Sequence, residues 1–247
     1  MSIEKRIREL ADRSYNENRY VFTDFLNMSE LSTYYEIKRD ISFVQSDAFG
    51  GTDGCERCVV RFGSEELCGY IEEYPIVLLK VRPVQAKFAD KLSHRDFLGS
   101  VIGLGLEREK LGDIFIRDNV GYIFVLDTVS DYIIDNLTYV KHTKVRVEVC
   151  EEVPEEVCPR LEERSVIVSS NRLDGIISKI YNLSRDESLT LIQDGKVFVN
   201  GRVMTGNAKP LKQDEVVSVR GFGRFIFAGE GAKTRKDKLY VNVQMYV

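Results

Sequence analysis

Between Pro75 and Val149 the hydrophobic period changes in an order that few folds accept. Ile76–Val81 is an apolar run, continuous but for Lys80, and His94–Leu106 repeats at about 3.6 residues. Asp113–Arg117 and Gly121–Leu126 are short strand-like runs around Asp118-Asn119. Ser130–Leu137 is helical again, and Lys144–Val149 alternates. The spacing predicts β-α-β-β-α-β over 74–150, a ferredoxin-like sheet with both helices on one face.

That architecture also serves RNA-recognition motifs, whose sheet aromatics stack bases. Within Gly121-Tyr122-Ile123-Phe124-Val125 the aromatics are two apart, so both rings project from one sheet face. They would stack bases there, but Val120 stands where a basic residue precedes the glycine in such motifs. Alternating strand aromatics more often pack into a core or an interface, which is the favoured reading. His94-Arg95-Asp96 lacks a nucleophile and is read as a helix start. Gly103-Leu104-Gly105 follows a helix rather than a strand and is read as its end, not as a dinucleotide loop.

The N-terminal 73 residues read as a small α/β unit. Ile3, Ile7, Leu10 and Ala11 follow a helical period, as do Leu31, Tyr34 and Tyr35 after Ser29, the expected N-cap. Asp40–Ser46 and Cys55–Phe62 are expected strands around the Gly50–Gly54 turn, which lacks the Lys-Ser/Thr of a phosphate loop. Cys55 and Cys58 form a C-x-x-C, but zinc needs two further ligands; only Cys68 is near, and His94 and His142 are remote. No metal and no cofactor are expected. The thiols, an odd set of Cys55, Cys58, Cys68, Cys150 and Cys158, fit a reducing compartment. A charged N-terminus and the lack of a long apolar run predict a cytoplasmic protein with no membrane span.

Charge is polarised along the chain. Residues 164–247 carry 14 basic and 8 acidic side chains, a balance of +6, so the remainder carries −10 of the overall −4. A basic module on an acidic body makes a local footprint for a polyanion. Glutamates with Pro154 and Pro159 over 151–163 read as an acidic linker before it. The basic module is also the best punctuated segment. Ser184 with Glu187 is a capping box, Asp194-Gly195 stops a helix, and Asn200-Gly201 is a strong hairpin signal. A helix pair and a hairpin are expected, with Ile176, Ile177, Ile180, Leu189, Ile192, Val197 and Val199 as their apolar seam.

Arg172-Leu173-Asp174, Ser184-Arg185, Gly195-Lys196-Val197-Phe198-Val199-Asn200-Gly201 and Asp214–Arg220 resemble the S4 RNA-binding domain, in order. Ser188 departs from it where alanine is usual. His94–Gly99, Leu104–Ile114 and Thr23-Asp24-Phe25-Leu26 resemble YlmH-like proteins, which extends the likeness over nearly the whole chain. The fold class expected is therefore α+β: an N-terminal α/β unit, the ferredoxin-like domain, and an S4 domain over 164–247 with a C-terminal strand extension.

The resemblance implies a non-catalytic cytoplasmic binder of rRNA and peptidyl-tRNA on the large ribosomal subunit, acting in rescue of stalled translation, with links to cell division. Cationic side chains alone imply only structured RNA, and no DNA partner is expected. Arg172, Lys179, Arg185, Lys196, Arg202 and Arg224 are the expected RNA contacts. Ser184 and Asn200 would fix register, though capping and turning explain both, and explain Asp174 and Gly201 better. The Lys233–Lys238 charge run is expected as a solvated loop or an extension of that surface. The rival is an RNA-modifying enzyme, a pseudouridine synthase or methyltransferase type using the module for docking. Only 23 residues follow Arg224, and no methyl-donor loop is evident.

Overall fold

A computed structural model describes residues 2–155, 157, 160–206 and 209–246. Cys158, Glu156 and Pro159 of the expected linker, and Val247 of the last expected strand, lie outside the described residues. The chain divides into two compact units, Met1–Glu30 with Ile37–Cys158, and Leu31–Glu36 with Pro159–Val247. It is mixed α and β, with antiparallel sheets throughout.

The first unit opens with α1 (Ile3–Glu17), capped by the Ser2 hydroxyl, which accepts from Lys5 N. Strand β1 (Val21–Phe22) follows, then α2 (Met28–Ile37), whose residues 31–36 belong to the second unit. The cap of α2 is Asn27, not Ser29: Asn27 Oδ1 accepts from Ser29 N and Glu30 N, while Glu30 accepts from Asn27 N. Strands β2 (Ser46–Phe49) and β3 (Val59–Phe62) complete a sheet of order β1-β3-β2, before the single turn α3 (Glu65–Cys68). The strand expected over Asp40–Ser46 is absent. Asp40 N and Ile41 N both donate to Ile37 O, and Val44 N donates to Ile41 O, so buried Ile41 and Val44 face inward by a turn spacing of three. The Cys55–Phe62 run forms a strand only from Val59.

Next come β4 (Ile76–Pro83), α4 (His94–Ile102), β5 (Leu111–Arg117), β6 (Val120–Leu126), α5 (Asp127–Asn136), β7 (Tyr139–Val140) and β8 (Thr143–Val149). Their sheet has the order β5-β6-β4-β8-β7. His94 does start α4: Asp96 Oδ2 accepts from Ser93 N and Ser93 Oγ. Leu79, Val81, Ile123, Val125, Val145 and Val147 form a core with Phe97, Val101 and Ile133 of the two helices.

The opposite face of this sheet agrees with the favoured core reading of its aromatics and rules out base stacking by them. Tyr122 and Phe124 are 4% and 1% exposed and pack with Phe25, Val59, Leu78 and Leu126. The N-terminal residues seal that face, so tightly that a Cβ on Gly112 would lie 2.7 Å from the Phe25 ring and 2.9 Å from Phe124. Burying each ring contributes roughly 1.5–3 kcal/mol, more than an exposed stacking platform would leave for stability. Arg57 ties the layers together. Its Nε donates to Leu111 O at 2.8 Å and its Nη2 to Phe25 O at 2.9 Å. Burial lowers the Arg57 pKa, and burial followed by Arg57 lowers that of Arg108 to about 10.

The second unit contains β9 (Leu161–Val168), α6 (Leu173–Ile180), α7 (Arg185–Gln193), β10 (Val197–Val199), β11 (Arg202–Val203), β12 (Val216–Val219), β13 (Gly223–Lys233) and β14 (Leu239–Tyr246). The sheet order is β11-β10-β12-β13-β14-β9. Alternation along β14 buries Leu239, Val241 and Val243 beside Ile176, Ile177, Ile180, Ile192, Phe225 and Phe227.

Candidate nucleic-acid interface

Helix α6 forms because Leu173, Ile176, Ile177 and Ile180 recur at helical spacing and are all buried. Asp174 lies among them with a side chain only 1% exposed. A carboxylate in that position needs charged partners, and it has two. Arg172 grips it with Nε to Oδ1 at 3.1 Å and Nη2 to Oδ2 at 3.3 Å, and Arg185 donates Nε to Oδ2 at 3.2 Å. Burial pushes the Asp174 carboxyl pKa up, but hydrogen bonds from Arg172 and Arg185 outweigh it and hold the carboxyl below its ordinary range. Arg185 reaches it because the capping box fixes the start of α7. Ser184 Oγ accepts from Glu187 N at 3.1 Å, and Glu187 Oε2 from Ser184 N at 2.7 Å.

Both guanidiniums keep an open side, with Arg172 38% and Arg185 61% exposed. They line a depression of about 240 Å³ together with Ser169, Ser170, Ser178, Lys179 and Lys238. A neighbouring depression of about 390 Å³ shares Lys179 and Lys238 and adds Arg235 and Lys236 from the β13–β14 turn. Lys179 makes no ion pair among the described residues. The result is a groove whose cations are fixed on one wall by a buried carboxylate and free on the other, suited to oxyanions of a polyanionic backbone.

The other expected contacts lie apart from this groove. Lys196 Nζ pairs with Asp194 at 2.9 Å, and Arg202 Nη2 donates to Tyr35 O at 3.0 Å. Arg224 stacks over Tyr246 with its guanidinium carbon 4.5 Å from the ring centre. Asn200 is a turn residue with φ 50°, and its Oδ1 accepts from Val216 N at 2.8 Å. Gly201 follows with φ 74°, against the Tyr35 ring, where a Cβ would come within 2.7 Å.

Asp174 is the member of the groove whose part sequence reasoning missed, and Lys238 was expected only within a charge run read as a solvated loop or an extension of the surface. An acid on the apolar face of a helix, two residues from an arginine, was the signal for Asp174. Nothing in the sequence marked Lys238 apart from its neighbours. Among the described residues no three His, Cys, Asp or Glu side chains group to hold a metal ion, and no helix is long and apolar enough to cross a membrane.

Comparison with known proteins gives this site its setting. "Ribosome-associated protein quality control protein P2" of Bacillus subtilis (strain 168) is 29% identical over 235 residues, covering 92% of this chain and 87% of that protein. The family described as "Putative RNA-binding domain in YlmH" matches residues 70–153. Over those residues the chain is similar to YlmH. A solved structure, "Cell division protein ylmH from Streptococcus pneumoniae", is 22% identical and covers 61% of this chain and 93% of that one, with a TM-score of 0.47. The residues matched to the family span β4 to β8, so the family description falls on the middle sheet and not on the Asp174 groove.

Proposed function

We propose that this chain is a non-catalytic binder of folded RNA that grips phosphates through Arg172, Arg185, Lys179 and Lys238. The observation that carries the reading is the buried Asp174 carboxylate, which holds two guanidiniums in fixed planes at the mouth of a cationic depression. Preorganised arginines lose less side-chain entropy on meeting a phosphate. In this reading residues 164–247 are an S4 RNA-binding domain and 74–150 a ferredoxin-like domain, preceded by an α/β unit over 1–73 and joined by the acidic linker 151–163. Lys196, Arg202 and Arg224, each held by a protein group, are secondary contacts, and Ser184 and Asn200 position backbone.

The family description and the name of the Bacillus subtilis relative support RNA binding and ribosome association in quality control. The finer reading is contact with large-subunit rRNA and peptidyl-tRNA during rescue of stalled translation in the cytoplasm. Titrating the full chain with a labelled rRNA stem–loop over a salt series tests the groove. Wild-type affinity should fall steeply with salt, and Arg172→Ala/Arg185→Ala should lose most of it while remaining folded. Unchanged affinity in that variant overturns the reading.

A further inference from the structure

The face of the middle sheet that Tyr122 and Phe124 share is sealed on one side only. Along β4 and β8 the same face carries Lys80, Arg82, Lys144, Arg146 and Glu148, because alternation sends Leu79, Val81, Val145 and Val147 to the helices. Arg82 and Arg146 are direct cross-strand partners, and Lys80 stands opposite Glu148. Side chains directly opposite on one face lie about 4.5–5.5 Å apart at Cβ, and like charges there are destabilising.

The one carboxylate in the group is already engaged, Glu148 with Arg82 Nε at 3.3 Å. Lys144 and Arg146 are exposed and have no ion-pair partner among the described residues. Lys80 Nζ lies 5.9 Å from the centre of the Tyr122 ring, so its charge sits at the border between the sealed and the open halves. Four cations with one carboxylate among them leave these strands a net positive surface, and an external anion would relieve the remaining repulsion. The residues matched to an RNA-binding family contain every member of this stripe.

We infer that Lys80, Arg82, Lys144 and Arg146 form a second RNA surface, on which the middle domain takes phosphates of the RNA backbone without stacking bases. The inference rests on the reading of the chain as an RNA binder, but not on the Asp174 groove. The stripe reads charge and spacing; its aromatic neighbours lie beside it on the same face, buried and out of reach of bases. RNA is favoured over an acidic protein segment because the cations stand in a row along adjacent strands with no apolar anchor between them.

The test uses the full chain, a labelled rRNA stem–loop and a salt series, with Lys144→Ala/Arg146→Ala, Arg146→Lys and Arg172→Ala/Arg185→Ala compared with wild type. The stripe variant should bind on the order of tenfold more weakly, with a log–log salt slope shallower by about 1.4–1.8, at 0.7–0.9 for each phosphate no longer neutralised. Its melting temperature should equal or exceed that of wild type, since a like-charge pair has been removed, and Arg146→Lys should keep the slope. Unchanged slope and affinity in the stripe variant, beside a weakened groove variant, overturns this inference and spares the proposed groove. Weakening of the stripe variant with the groove variant intact does the reverse. Displacement of RNA by polyglutamate of equal total charge, at equal concentration, overturns the choice of RNA as occupant.

Discussion

The two larger sheets solve the same problem differently. Each carries a pair of helices on one face, and each places cations where a polyanion could reach them. In the C-terminal unit Arg172 and Arg185 are held by a carboxylate that is itself 1% exposed, so their charge is aimed before any ligand arrives. On the middle sheet Arg82 and Arg146 are set side by side by strand register, with only the exposed Glu148 pair on Arg82 to offset their repulsion, while the aromatic half of the face is closed by Phe25 and Val59. Order imposed by a buried counter-charge and order imposed by backbone register thus coexist in one chain.

Four variants would break or sharpen that contrast. The largest effect is expected for Phe124→Ala, which should cost about 3–5 kcal/mol in chemical unfolding, as for other buried phenylalanines, with the salt slope of RNA binding unchanged in the folded fraction. A changed slope would mean that the sealed half touches RNA after all. Arg172→Ala/Arg185→Ala should leave the protein folded but about 1–3 kcal/mol less stable, because the buried Asp174 carboxylate loses both partners, and should weaken RNA binding by on the order of 100-fold, about 2.7 kcal/mol, in a fluorescence titration.

Asp174→Asn should cost about 1–2 kcal/mol of stability, discounted because Arg185 is largely exposed, and should weaken RNA binding by freeing both arginines. Its acid behaviour carries a definite sign. The folded carboxyl sits below its ordinary value of 3.8, so its contribution is complete above about pH 4–5 and fades as pH falls through the folded value. Wild type should therefore lose stability on acidification that the Asn variant no longer has to lose, which thermal melts from pH 6 down to about pH 3 would reveal. The smallest effect is expected for Lys196→Ala. Its pair with Asp194 is 46% exposed on both sides, so less than about 0.5 kcal/mol of stability and little RNA affinity should disappear. A drop comparable to that of the Arg172/Arg185 variant would move the interface to the hairpin.

Much local chemistry was legible in the sequence. The capping box at Ser184 and Glu187, the Asn200-Gly201 turn, the apolar run of β4 and the alternation of β8 all stand where their residue types require. The Asp40–Ser46 expectation failed because Ile41 and Val44 satisfy a turn as well as a strand, and the pull of Ile37 O decided between them. Partnerships over long separations were not legible. Leu31–Glu36 lies in the unit of residues 159–247, where Ser32 Oγ accepts from Val203 N at 2.8 Å, a link no short-range pattern announces. Asp174 reads as a turn or cap residue because its partners are two and eleven positions away, and only burial turns that spacing into an anchor.

Strand β14 sits between β13 and β9, joining late residues of the unit to its earliest strand. During synthesis β9 must wait for roughly 70 residues before its sheet partner exists, about 4–14 s at ordinary elongation rates. Lys238 arrives with that same strand. A nascent copy therefore carries an unfinished groove while it is still being made, and its cations come together only once β14 has been laid in.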